Sequence, residues 1–404
     1  MRSDGPSRGS LAQPAAVRPP QRVPLWRNPN VRAVAFQAVA IVAILLLAIY
    51  LVSTTMDNLE QRGIRSGFGF LDNEAGFRIG ETLIPYSASD SYARAFLVGL
   101  LNTIYVSALG IVLATIIGIV VGIARLSRNW LIARLASAFV ETVRNIPLLL
   151  QLFFWYAAIT SLLPAVRDAV ALLPGFYLSK SGLMFPVVKV GSAVPFIGIA
   201  LLLGIVASLA FRVWAKRRQD RTGERTPVLL VNAALIVGFL FVAWLVSGAP
   251  MELDVPEKGR FTYSGGSSVT PEFLALLLGL TIYTSGFIAE IVRSGILAVP
   301  WGQTEAARAL GLGRGPILRL VVLPQALRVI VPPLTSQYLN LTKNSSLAVA
   351  IGYPDLVSVA NTSLNQTGQA IECISIMMAI YLTLSLSTSA FMNWYNRRVA
   401  LVER

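Results

Sequence analysis

Residues 300–324, PWGQTEAARALGLGRGPILRLVVLP, lie between two long apolar segments and share the character of neither. Thr304 is placed to cap a helix over 305–310, and Gly311 to end it in the left-handed conformation that glycine adopts cheaply. That helix is only about two turns long. Gly313 and Gly315 then break the chain, Pro316 suits the first turn of a second helix, and Pro324 interrupts that helix's hydrogen bonding. The outcome is a helix-turn-helix knob in a loop. Ala306, Ala307 and Ala309 give the first helix a nearly side-chain-free surface suited to another protein's groove, with Glu305 and Arg308 available for polar fixing. On these grounds alone the segment is either a docking element or a loop that happens to be helical.

The chain around it has membrane composition: 404 residues, 55% hydrophobic and only 13% charged, with a mean hydropathy of +0.65. The formal charge of +14 falls in short clusters between apolar spans, not in one basic domain, which suits membrane topology and argues against nucleic acid. Histidine is absent, which excludes imidazole catalysis, histidine-metal sites and histidine proton relays. Cys373, the single cysteine, cannot form an internal disulfide and reads as a small buried residue. Residues 311–315 carry glycines but no lysine, and no phosphate-binding GxxxxGKS or GxxxxGKT loop occurs. If ATP drives this protein, another subunit hydrolyses it.

In chain order, residues 1–32 read as a disordered basic tail, rich in Pro and Arg. Residues 33–55 follow as a first membrane helix, longer than a signal-peptide core. A polar loop leads to spans over 96–124 and 136–163, a further loop, spans over 193–211 and 228–247 flanking the basic run 212–225, another loop, and spans over 271–293, 327–351 and 371–394. That makes an all-α polytopic protein of about eight membrane helices. With the N-terminus inside, the inside segments carry 23 Lys or Arg against 5 acids, and the outside loops 8 against 12. An asymmetry repeated in this way places both termini, and residues 300–324, in the cytoplasm.

Charges within spans cost about 2.5 to 3.5 kcal/mol on insertion scales and face a bundle interior or water. Glu141 and Arg144 are three apart and can neutralise each other on one helical face, in either a structural or a functional role. Pro147 just beyond them should kink the helix. On 334–351, Ser336, Gln337, Asn340, Lys343 and Asn344 recur at spacings of three and four and form one polar stripe, with Leu334, Tyr338 and Leu341 on another face. Such a stripe cannot face lipid. It is either a translocation lining, with Lys343 offering a cation to a substrate carboxylate, or glue between helices at a dimer interface.

Glu305, Ala306 and Ala307, then Gly311, then Leu323 and Pro324 resemble, at the right spacing, the EAA signature of bacterial ABC importer permeases, with Val321 where Ile is usual. The string ETVRNIPLLLQLFFWY at 141–156 looks like the RxxPLLxQ segment of the polar amino acid branch, and YTSGFIAEIVRSGI at 283–296 resembles that branch's AEIxRGGI segment. The resemblance spans about 96–395 and is interrupted over 164–270. With the added first helix, this looks most like the permeases of general L-amino acid transporters.

The resemblance implies a type I importer permease core in two parts, 96–163 and 271–395. Around it stand the tail 1–32, an accessory helix 33–55, an outside loop 56–95, an insertion 164–270 with two accessory helices, and a tail 396–404. The loop 298–325 would couple to an ATPase dimer through Glu305, Ala306, Ala307, Arg308 and Gly311. ATP and Mg would be bound by that dimer and no cofactor by this chain. A second permease subunit, a different chain, and a periplasmic amino acid binding protein would complete the complex in the bacterial inner membrane. Glu290 would close a structural contact at the cytoplasmic end of its helix, and Glu141, Arg144 and Pro147 would be structural or gating residues. The alternative is an ion-coupled secondary transporter or channel, against which stands the lack of a pronounced acidic site in mid-membrane.

Overall fold

The computed structural model describes residues 29–61, 67–189, 194–224, 226–248, 252–259 and 263–399. The expected tail 1–32 therefore lies almost wholly outside them, as does the end of the tail 396–404. The chain divides into two units at Gly67. The first contains one helix, α1 (Pro29–Gln61), whose 24-residue apolar stretch Arg32–Thr55 is long enough to cross a bilayer.

In the second unit, α2 (Tyr92–Ala124) starts where the Ser91 hydroxyl accepts from the Arg94 amide. The single span expected over 136–163 is instead two helices, α3 (Trp130–Asn145) and α4 (Leu148–Leu162), bent by 106°. Pro147 has no N–H and pushes the residue before it out of the helical region, so Ile146 sits at φ −95, ψ 126. The freed carbonyls of Val143 and Ile146 are taken by the buried Gln151 side chain, at 2.9 and 3.0 Å. A side-chain amide thus replaces the lost backbone donor, which turns a kink into a stable corner.

The stretches expected as loops within 164–270 hold short antiparallel strands. The strands β1 (Val170–Leu173), β2 (Phe176–Ser179) and β3 (Gly182–Phe185) form a sheet with β8 (Ser267–Val269), while β4 (Val187–Lys189) pairs with β5 (Glu252–Asp254) and β6 (Glu257–Lys258) with β7 (Tyr263–Ser264). Between them α5 (Val194–Thr222) and α6 (Val228–Val246) pack on each other, and neither shares an extensive contact with α2 or α4.

The remaining helices are α7 (Pro271–Leu297), α8 (Trp301–Ala309), α9 (Arg314–Ile317), α10 (Leu323–Asn344), α11 (Leu356–Thr367) and α12 (Ala370–Val399). The span expected over 327–351 changes character at Ser345, continuing as a 3-10 helix to Ile351 and closing at Gly352 with φ +81. The loop expected over 352–370 contains α11, capped by the Asp355 carboxylate. Six described helices are long and apolar enough to span a membrane, seven with α3–α4 taken as one, and Leu230–Val246 is a shorter apolar helix. The fold is mainly helical and polytopic, with small sheets that an all-α expectation omits.

Helix α7 is the hub, in contact with α2, α3, α4 and α10. Where lipid replaces water on the outside, helices associate by close packing and small residues, not by expulsion of apolar surface from water. Accordingly a side chain at Gly118 or Gly122 of α2 would run into Ile288 or the Ala289 carbonyl of α7. On α7 itself, Gly279 receives Leu152 and Gly295 receives Ile330. The core around this crossing includes Val106, Leu152, Leu276, Leu280, Ile288 and Leu341. Gly122→Ala would put its Cβ 2.7 Å from a backbone oxygen that cannot rotate away. It is expected to cost about 1–3 kcal/mol by overpacking, seen as a lower unfolding temperature in detergent. Gly238→Ala on α6, with open space at its Cβ, is expected to leave stability unchanged or slightly raised. Equal effects of the two would refute this packing account.

Candidate functional site

The knob begins one turn earlier than Thr304 capping predicts. Pro300 takes the N-cap position, with ψ 135 and no side-chain cap, and α8 runs from Trp301. Trp301 then organises the exposed face: its indole N–H donates to Glu305 Oε1 at 2.8 Å, and the Arg308 guanidinium stacks over its ring at 5.2 Å. Glu305, Ala306, Arg308 and Ala309 are exposed, as are Trp301 and Leu310, whereas Ala307 is buried and so drops out of the expected docking surface.

The helix ends as anticipated at Gly311, with φ +78. The Gly311 amide donates to the Arg308 carbonyl and the Leu312 amide to the Ala307 carbonyl, the paired bonds of a Schellman turn. After α9 the chain makes a π-helical turn over Leu318–Val322 before Pro324, a widening that accommodates a proline without a donor.

Glu290 holds two arginines. It pairs with Arg293 one turn on, at 2.6 Å, and with Arg125 at the end of α2. This ties α2 to α7 at the end of the bundle that leads into α8. Arg125 is a partner that sequence reasoning missed, since nothing local links positions 165 residues apart. Glu141 and Arg144 do not form the ion pair expected of them. Both are exposed, and Arg144 instead lies over the Phe287 ring of α7 at 5.1 Å.

The polar stripe of α10 faces away from the core, while Leu334 and Leu341 are buried and the Tyr338 hydroxyl shares a 3.0 Å hydrogen bond with Thr115 of α2. Gln337, Asn340 and Asn344 line a cavity of about 280 Å³ with Tyr283, Thr284 and Phe287 of α7. Ser336 and Lys343 are exposed beside it and do not line it. The three α7 residues were missed as lining, although Tyr283, Thr284 and Phe287 stand in the quoted motif at helical spacing.

The opposite end of the bundle has its own polar junction. Asp355 is fully buried; one carboxylate oxygen accepts from the Ser358 amide at 2.9 Å and the other lies 3.5 Å from the Tyr381 hydroxyl. Burial pushes its carboxyl up to about 7. A folded-state value above the unfolded one means that this group favours the fold fully below pH ~3.8 and loses that contribution as pH rises toward 7. The unfolding temperature is therefore expected to fall across that window. Asp355→Asn, which keeps the acceptor for Ser358, should flatten the slope, and an unchanged slope would show that another group titrates.

Residues 179–401 match the family of binding-protein-dependent transport system inner membrane components. The general L-amino acid transport system permease protein AapQ of Rhizobium johnstonii is 52% identical over 93% of this chain and 94% of its own. The putative amino-acid ABC transporter permease protein YhdX of Escherichia coli is 51% identical over 93% and 96%. The glutamate/glutamine/aspartate/asparagine transport system permease protein BztB of Rhodobacter capsulatus is 42% identical over 92% and 95%. With a helical, polytopic fold, a structured EAA loop and relatives of this kind along nearly its whole length, the chain belongs to the binding-protein-dependent inner membrane components, the multi-pass permease subunits of ABC transporters.

Proposed function

We propose that this chain is one half of a permease pair that passes L-amino acids across the inner membrane by alternating access. The amino acids come from a periplasmic binding protein, and a separate ATPase dimer binds and hydrolyses the ATP. The observation that carries the reading is the build of residues 300–324: a short helix locked at both ends, exposing a charged and small-residue face outside the apolar core. A cavity lined by polar residues of α7 and α10 together with Phe287 supports a path for polar solutes, since polar groups in a membrane helix need protein or water around them. The charge bias of the loops supports cytoplasmic termini and a cytoplasmic α8, with Glu305, Ala306, Arg308 and Gly311 meeting the ATPase. The relatives' names support amino acids as cargo.

Isolating the complex from its host membrane and identifying every copurifying chain is the direct test. An ATPase and a second permease are expected. After reconstitution, uptake of labelled L-amino acids should require ATP and the binding protein. Uptake driven by an ion gradient, with no ATPase present, would replace this reading with a secondary transporter.

A further inference from the structure

A second cavity, of about 350 Å³, opens at the end of the bundle opposite α8. Three separate stretches wall it: the loop 77–81 before α2, Thr270 and Glu272 at the start of α7, and residues of 352–362. Asn102 of α2, itself buried, fastens two of them together by donating to the Glu81 carbonyl at 2.8 Å and the Pro354 carbonyl at 2.9 Å. The cavity is therefore built by the fold and is not a gap between loose loops.

Its chemistry is mixed in sign. Two carboxylates line it, and each is held by a hydroxyl: Thr270 donates to Glu81 at 2.8 Å and Tyr156 to Glu272 at 3.1 Å. Neither is neutralised by a described cation, and burial together with the neighbouring Glu272 charge holds the Glu81 carboxyl above its ordinary range. Hydroxyl partners orient a carboxylate but leave its charge uncompensated in a poorly solvated place, so a cationic group is the favoured occupant. Arg78 lines the same cavity, is exposed, and forms no ion pair with a described residue, which leaves its two-pronged donor set open to a carboxylate. Phe77, Ile79 and Val359 supply an apolar wall indifferent to the detail of a side chain.

We propose that this cavity is an entry site for the α-amino acid zwitterion, with the ammonium group held by Glu272 and Glu81 and the carboxylate by Arg78. The proposal rests on the amino acid reading above and deepens it. It puts recognition of the shared backbone charges at the mouth, where an apolar wall tolerates varied side chains, and leaves the α10 cavity as a separate, later station.

The test uses the assembled complex in detergent, without ATP or binding protein, titrated with L-glutamine, 4-carbamoylbutanoate, which lacks the amino group, and 4-aminobutanamide, which lacks the carboxylate. Wild type should bind glutamine at least about tenfold tighter than either analogue, since a site built for a polar group rejects ligands lacking it. Glu272→Gln and Glu81→Gln keep the acceptors for Tyr156 and Thr270 and should erase the preference over the des-amino analogue. Arg78→Gln, at an exposed position, should erase the preference over the amine. Asn340→Leu is titrated alongside to report on the α10 cavity, and Gly238→Ala, in open space on α6 and lining neither cavity, should leave all three affinities unchanged. Unchanged binding in the Glu and Arg variants, or loss only in Asn340→Leu, overturns the site while leaving the transport reading standing. Variants that bind glutamine normally but weaken binding-protein docking overturn it too, in favour of a protein contact. If wild type, with ATP and binding protein, neither binds nor transports any amino acid, the transport reading itself fails and this site with it.

Discussion

Gly311→Val is expected to abolish ATP-driven uptake while the protein still inserts and assembles. The backbone at Gly311 has φ +78, and a Cβ built there meets nothing within 4 Å, so the penalty is conformational and not a clash. An L-residue pays about 1–2 kcal/mol for the left-handed region, and a β-branched one fits it worst. That is comparable to what the two amide bonds of the turn contribute, at about 1 kcal/mol each, so the end of α8 should unravel.

The bundle should not notice. Within 301–317 the buried residues are Ala307 and Ile317, and the helices that form the core lie elsewhere. Gly311→Asn is the control, because asparagine enters the left-handed region several-fold more readily than other side chains; it should retain a large part of uptake. Glu305→Lys removes the acceptor for Trp301, reverses the charge on the proposed docking face, and is expected to fail in the same way. Uptake at wild-type level by both Gly311→Val and Glu305→Lys, in proteoliposomes with all partners present, would remove the docking role from this loop.

What the sequence made legible was local. The helix end at Gly311 follows from one residue's permitted φ, the corner at Pro147 from a missing N–H, and the stripe on α10 from its spacing. What it hid depended on partners far along the chain. The strand pairing β3–β8 joins residues 183–185 to 267–269, a partnership that nothing local states, so both stretches read only as loops. The fate of Arg144 was decided by the Phe287 ring of α7, and the size of the corner after it, 106°, is a magnitude no proline announces by itself. The entry cavity needed three stretches to converge and a buried Asn102 to hold them, and a lone asparagine in an apolar helix does not say which carbonyls it will find. The start of α8 was misjudged for a different reason. Thr304 is a good cap, but the Trp301 contacts with Glu305 and Arg308 favour a helix that starts one turn earlier, even without a side-chain cap at Pro300.

Asn340→Leu is expected to lower uptake about ten- to a hundredfold, or to reorder substrate preference, with assembly intact. Gln337, Asn340 and Asn344 recur at three, four and seven residues on the outward face of α10, and with Tyr283, Thr284 and Phe287 they line one cavity. Amides there can exchange hydrogen bonds with a zwitterion as it passes, and hydrogen bonds to charged groups are worth about 1.5–3 kcal/mol each, which sets the size of the expected loss. Asn340 is exposed in this chain and leucine is of similar bulk, so folding should be spared. Lys343→Met is the companion. Lys343 is exposed beside the cavity without lining it, so removing its charge should change uptake less than Asn340→Leu does. A substrate carboxylate steered by that charge would show as a selective loss for acidic amino acids. If both variants assemble with the ATPase and transport every substrate unchanged, the stripe is adhesive between the two permease halves, and the path runs along a different helix.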